Sequence, residues 1–296
     1  MQVIDAHVHF WSLSLDIQPW LSHPAPNMLG DYRSMARDTG PGELLAQRGT
    51  VELLGAVHIE ADAADGLKET EWLATLPTTA PQGLPFVMVA GVDLAAPDCA
   101  ERLDAHMSMT GRIRGVRQIL NVHPDPHFDY VGRHYMHEAA WQSGFNELGK
   151  RGLSFDLQLY PAQMADAARL ADAHPHTLFI LNHAGMYVDR HNVEGWRQWR
   201  DGLRQLAERD NVVTKLSGFG MLDHRWTPDS LRPLVLETID AFGIERCMFA
   251  SNFPVDMLYA RYEQVWQAYD NIVSAGSSAE KAALFHANAS RFYRME

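Results

Sequence analysis

Val3-Ile4-Asp5-Ala6-His7-Val8-His9-Phe10-Trp11 opens the chain with a short, partly β-branched apolar run that breaks into polar residues without a glycine. Such a run reads as a buried strand. A doubly wound dinucleotide-binding sheet needs a Gly-rich turn directly after its first strand, so that backbone can approach a pyrophosphate. Ala6–Trp11 offers none. Seven more runs of the same kind follow: 55–59, 86–92, 115–120, 153–159, 177–182, 212–217 and 246–251. The segments 64–76, 97–109, 137–151, 162–174, 193–209 and 229–242 between them have helical spacing, and 259–274 and 279–291 supply the last helices. Each gap is long enough for a right-handed βαβ unit. Eight strands alternating with helices predict an α/β protein, a single (β/α)8 TIM barrel formed by one domain over residues 1–296.

Composition agrees with a packed enzyme-sized domain. Of 296 residues 46% are hydrophobic and 21% charged, enough apolar matter for a full core. The net charge of −12 repels phosphate backbones and anionic membrane surfaces, which excludes nucleic acid and membrane as expected partners. No apolar run reaches the roughly 18 residues of a membrane span, and the first residues form no signal peptide, so a cytoplasmic protein is expected. Cys99 and Cys247 form no disulfide framework and no metal knuckle. Histidine is the outlier, with 15 residues.

Barrel geometry sorts these histidines, because functional groups gather at the C-terminal ends of the strands. Period-two alternation puts Asp5, His7 and His9 on one face and Ile4, Ala6, Val8 and Phe10 on the other. With the apolar set packed against helices, the two imidazoles face the barrel mouth. Converging neutral imidazoles suit a divalent transition metal, and a hydrogen-bonded core pair held by Asp5 is the alternative. His183 ends the sixth strand at the same level. His174 and His176 precede that strand, fall on the opposite face and are expected to have no function. His123, His127, His134 and His137 occupy the long loop after strand four, read as a solvated loop rather than a lid. Trp11, Trp20 and the stretch Pro19–Pro26 form a long first loop, either a cover over the pocket or a packed surface segment. Inward polar positions are expected at His58, Glu60, Arg117 or Gln118, Asp156, Gln158, Lys215 and Ser217.

The motifs DAHVHFW, GVRQIL, FDLQL, LNHAG, VVTKLSG, FASNFPVD and the ending NASRFYR together resemble the amidohydrolase superfamily. More narrowly, the chain is similar to the amidohydrolase-related group that holds fuconolactonase-like and pyrone-dicarboxylate-lactonase-like enzymes. The resemblance implies that His7 and His9 are the strand-one pair and His183 the strand-six histidine. Members of the group hold one Zn²⁺ or Mn²⁺ there or work without metal, so either state is open. Glu60 is a further candidate ligand. The strand-eight acid of the group falls on Asn252, an amide with no useful basicity. The base is therefore sought in Asp256, Asp156, Glu60 or a histidine, with Asn252 holding metal, water or substrate.

The implied activity is hydrolysis of a lactone or related cyclic ester of a sugar acid or catabolic carboxylic acid. Catalytic candidates are His183, Asn252, Asp256 and Asp156. Arg117, Lys215 and Arg225 are candidates to hold a substrate carboxylate, and Gln158 and Asn182 to bind hydroxyls. The expected partner is a small carboxylated lactone, with a homodimer as a possible assembly. Two alternatives are a metal-dependent, non-oxidative decarboxylase of an aromatic or enol acid, and a non-catalytic binding protein on a retired barrel.

Overall fold

The computed structural model describes residues 1–25 and 27–295; Pro26, the end of the first-loop stretch, lies outside them. Eight parallel strands, β1 Gln2–Val8, β2 Glu52–Ile59, β3 Phe86–Gly91, β4 Ile113–Ile119, β5 Ser154–Gln158, β6 Phe179–Leu181, β7 Val212–Leu216 and β8 Cys247–Phe249, pair in sequence order. A parallel bridge between Val8 and Phe253, with His9 N–H donating to the Phe253 carbonyl at 2.7 Å, brings the first strand against the end of the last. The expected (β/α)8 barrel is therefore the observed one. Helix Pro41–Gln47 precedes β2, helices Gly66–Thr75, Cys99–Met109, Ala139–Lys150, Met164–Ala173, Val193–Ala207 and Pro228–Phe242 fill the six later crossovers, and Tyr262–Ile272 follows β8. Their starts carry local signals. Asn192 accepts from Gly195 N–H at 2.6 Å, and Thr227 and Ser230 cap reciprocally around Pro228 at the first helical position. Among the described residues no helix is long and apolar enough to cross a membrane.

Alternation along the strands divides the core into two layers. Phe86, Met88, Phe155, Leu157, Phe179 and Phe249 join the layer that includes helix residues such as Leu103, Trp141 and Trp199. Ile4, Ala6, Val57, Ile59, Val89, Ile180, Val213 and Met248 fill the barrel axis, closed by Ala289 and Tyr293 from the C-terminal segment. The axis above this plug is left to polar side chains.

The first strand departs from simple alternation. Ile4 and Ala6 point to the axis rather than to the helices, and Asp5 points outward, where it accepts from Ser251 Oγ at 2.5 Å and Tyr262 OH at 2.9 Å. The β1–β2 register shifts between Asp5 and Val8, which rephases the strand. Beyond the shift His7 and His9 face inward, while Val8 and Phe10 belong to the outer layer. The inward expectation for His58 also fails, because Val57 and Ile59 take the axial positions. His58 stacks on Phe10 with ring centroids 5.7 Å apart and accepts from Phe10 N–H at 3.1 Å. Gln118 is likewise outward, accepting from Leu94 N–H and Trp141 Nε1–H, so Arg117 is the inward residue of the pair.

Candidate active site

Three imidazoles meet at the C-terminal mouth. His7 Nε2 lies 3.1 Å from His9 Nε2, and the His7 and His183 ring centroids are 4.4 Å apart. Outer contacts set the rings: His9 Nδ1 donates to the Ile59 carbonyl at 2.9 Å, and His183 Nδ1 meets Ser217 Oγ at 2.9 Å. Each therefore turns Nε2 away from its anchor. Burial, reinforced by the Arg117 charge, pulls His9 down to about 3. Burial and the charges of Lys215 and Arg117 also hold His7 and His183 well below the usual imidazole range, so all three are neutral at pH 7.

Beneath His7 lies a buried pair. Lys215 Nζ contacts Asp156 Oδ1 at 2.5 Å and stands 3.4 Å from His7 Nδ1, while Tyr293 OH donates to the same Asp156 oxygen at 2.8 Å. Burial draws Lys215 down to about 8 against the pull of Asp156. Neither Asp156 nor Lys215 lines the mouth cavity. Their geometry supports His7 rather than reaching a ligand.

Arg117 is clamped from two sides. Its Nε donates to Glu60 Oε1 at 2.5 Å, Nη2 to the Glu60 carbonyl at 2.5 Å and Nη1 to Gln158 Oε1 at 2.7 Å. Glu60 thus neutralises Arg117 and is turned from the imidazoles. Gln158, with its oxygen engaged by Arg117, keeps its amide N–H groups for the cavity it lines. Asn252 Nδ2 donates to Asp256 Oδ1 at 3.0 Å, which leaves the Asn252 carbonyl oxygen on the side of His9. Asp256 stands behind Asn252, outside the cavity lining, and burial pushes its carboxyl up to about 7. Asn182 is buried with both side-chain polar atoms unpartnered, one step below His183. Arg225 is exposed beyond the short helix Phe219–Met221 and is not brought to the site.

These groups floor a cavity of about 290 Å³, one upper wall of which the sequence offered as an alternative for the first loop, while the other was not identified. Trp20 and Met28–Leu29 of the first loop form one side, and Phe128 and Tyr130 of the β4 loop form the other. Trp20 is pinned by its Nε1–H to the Ala61 carbonyl at 2.9 Å, and Tyr130 OH donates to Asp62 Oδ2 at 2.5 Å. The first loop therefore does cover the pocket, and His127 lies on a wall rather than in a purely solvated loop. The sequence signal was the length of these two βα loops, where this fold keeps its binding residues. Backbone strain gathers at the same end: His183, Ala184, Asn252 and Asp62 have φ of 56°, 48°, 56° and 51°. Non-glycine residues held there cost of order 1–3 kcal/mol each and cluster at functional sites. Gly218 makes room for this arrangement, since a Cβ on it would stand 2.3 Å from His183 Nδ1.

The donor set fits a metal in part. Two nitrogens held by a tetrahedral zinc at 2.0–2.1 Å stand about 3.3 Å apart, close to the His7–His9 separation of 3.1 Å. Both rings are neutral, as ligands must be. Among the described residues, however, no group of three or more His, Cys, Asp and Glu side chains is arranged to hold an ion. The third donor would be the amide oxygen of Asn252.

Fold and site together define a (β/α)8 barrel with a histidine-floored pocket at its strand C-termini. The amidohydrolase family model matches residues 4–295, and the chain belongs to that family, as its motifs implied. The uncharacterized protein y4mH of Sinorhizobium fredii is 40% identical over 298 residues, covering 99% of this chain and 98% of its own. The L-fucono-1,5-lactonase of Burkholderia multivorans is 29% identical over 99% of this chain and 96% of its own. A crystal structure of an amidohydrolase from Burkholderia multivorans with bound zinc is 26% identical, with a TM-score of 0.83 and 100% of both chains covered.

Proposed function

We propose that the protein hydrolyses the ester bond of a small, uncharged lactone at this mouth. The observation that carries the reading is the convergence of His183, Asn252, Arg117 and Gln158 on one cavity, each with its orientation fixed by a second contact. The likeness to a lactonase over nearly the whole chain supports it.

The roles follow from which atoms remain open. His183 Nε2 accepts the proton of the attacking water, and the Asn252 carbonyl oxygen orients that water by accepting its other hydrogen. Arg117 has five N–H groups, of which three are engaged by Glu60 and Gln158. The remaining two, with the Gln158 amide, are donors for the carbonyl oxygen as it gains negative charge. His7 and His9, with Asn252, would hold a divalent ion. When bound, such an ion supplies Lewis acidity toward the ester carbonyl and toward water.

Charge favours a neutral substrate over the carboxylated one expected from sequence. Glu60 already balances Arg117, and Asp62 and Asp129 add acidic groups to the wall. A carboxylate entering there lacks a free cation. The same balance favours lactone opening over decarboxylation of an aromatic or enol acid. The test is proton release from a panel of uncharged aldono-1,4- and 1,5-lactones, with no added metal, Zn²⁺ or Mn²⁺. Turnover that falls by about 10²–10⁴ in His183→Ala supports the proposal. No turnover of any lactone under all three conditions overturns it.

A further inference from the structure

A second cavity, of about 370 Å³, adjoins the first at the tops of β2, β3 and β4. The two share Asp62, Arg117 and Ile119, which form the wall between them. Two parts of that wall are fixed by hydrogen bonds. Arg117 is held by Glu60 and Gln158, and Asp62, at its left-handed φ of 51°, takes the hydroxyl of Tyr130 on its carboxylate. Arg117 itself lines both compartments.

The chamber behind this wall is polar; both of its arginines are already paired, while Asp62 and Asp93 meet only neutral donors and are oxygen acceptors of the kind that sugar hydroxyls donate to. Glu60 pairs with Arg117, Arg102 Nε donates to Asp98 at 2.9 Å, and Asp93 Oδ1 accepts from Gln118 Nε2 at 3.1 Å. His106 is bound to Thr70 Oγ1 at 2.8 Å, and burial keeps it uncharged at pH 7. Such a lining has hydrogen-bond donors and acceptors but no free cation for an anion and no broad apolar wall for a hydrocarbon. Such a lining suits a neutral, hydroxylated ligand. We infer that this compartment is a subsite for an uncharged sugar ring carried by the substrate, next to the ring that is opened. That the neighbouring ring is a lactone rests on the function proposed above; the sugar subsite stands on the second cavity alone.

Two small residues on the lining allow the chamber to be plugged, Ala96 on the β3 loop and the exposed Ala64 on the β2 loop. Binding of gluconolactam and of its 4-O-glucosyl and 4-O-galactosyl derivatives, which do not hydrolyse, is measured by calorimetry. The expected result is at least about ten-fold tighter binding of a two-ring lactam by the wild type. That advantage disappears in Ala96→Trp and Ala64→Trp, while the single-ring lactam serves as the internal control for folding. Equal or weaker binding of both two-ring lactams, or an advantage that survives both plugs, overturns the inference. If no lactam binds at all, the lactone reading is left to the turnover panel, and maltose and lactose then report on the subsite by themselves. A disaccharide bound by the wild type and lost on plugging supports it, and no disaccharide bound overturns it.

Discussion

The pattern of two histidines around one residue occurs twice in this chain, as His7-Val8-His9 and as His174-Pro175-His176, and the two copies meet opposite fates. The first ends β1 and is buried at the mouth, its imidazoles 3.1 Å apart and ringed by Lys215, Arg117 and His183. The second precedes β6 at the other end of the barrel. There His174 rests edge-on against Phe145 with ring centroids 4.7 Å apart, and His176 is exposed. The residue pattern is shared, but the strand end is not. Convergence with groups from other strands separates a site from a pair of side chains.

That contrast breaks first at His9. His9→Ala should lower lactone turnover by about 10–100-fold with unchanged far-UV circular dichroism, since it removes one of the three imidazoles that meet at the mouth and one of the two that would hold an ion. Full activity in this variant would make the two histidine pairs equivalent. The next effect is on stability. Lys215→Met leaves the buried Asp156 carboxylate without its counter-charge and with only the Tyr293 hydroxyl donating to it, which should cost about 3–5 kcal/mol in urea unfolding. Adding Asp156→Leu should recover part of that loss.

His106 sharpens the comparison, being a buried histidine with a structural contact. Burial draws it down to about 4 from 6.5, opposed by Asp65 and aided by Arg102. Between those two values the unfolded chain binds more protons than the folded one, so this group makes stability rise with pH and is destabilising as pH falls through the window. The interval is worth roughly 3 kcal/mol in full. His106→Gln should therefore flatten the stability profile between about pH 4 and 6.5, measured by urea titrations at several pH values. A profile as steep as that of the wild type would remove His106 from the account. The smallest effect belongs to the exposed pair: His176→Ala should change stability by no more than about 0.5 kcal/mol and leave turnover unaltered.

Much of this was legible from residues alone. The eight runs and the helical segments between them lie within a few residues of the observed elements, because strand and helix periods differ and buried parallel strands are short and apolar. His7, His9, His183, Arg117 and Gln158 came together as expected, since each ends a strand of a barrel whose functional groups lie at those ends. Asp5 did not follow, because one register shift in β1 reverses the facing of a residue and alternation has no means of signalling it; His58 did not follow, because Val57 and Ile59 take the axial positions of β2 and alternation separates two faces without saying which is inward. Arg225 was placed by charge type, and the path of its loop carries it to solvent.

The amino-acid sequence by itself determined the barrel, the end at which its polar groups gather and the family to which the chain belongs. Those properties follow from local periodicity and from motifs, which are written along the chain. Only the tertiary structure decided that Glu60 neutralises Arg117, that Asp256 stands behind Asn252 outside the cavity lining, and that Asp62, held by the Tyr130 hydroxyl, is shared by two cavities. Those facts depend on side chains 57, 4 and 68 residues apart meeting with one donor facing one acceptor. Packing fixes which of several possible partners each charge takes, and that choice is not encoded in any single segment.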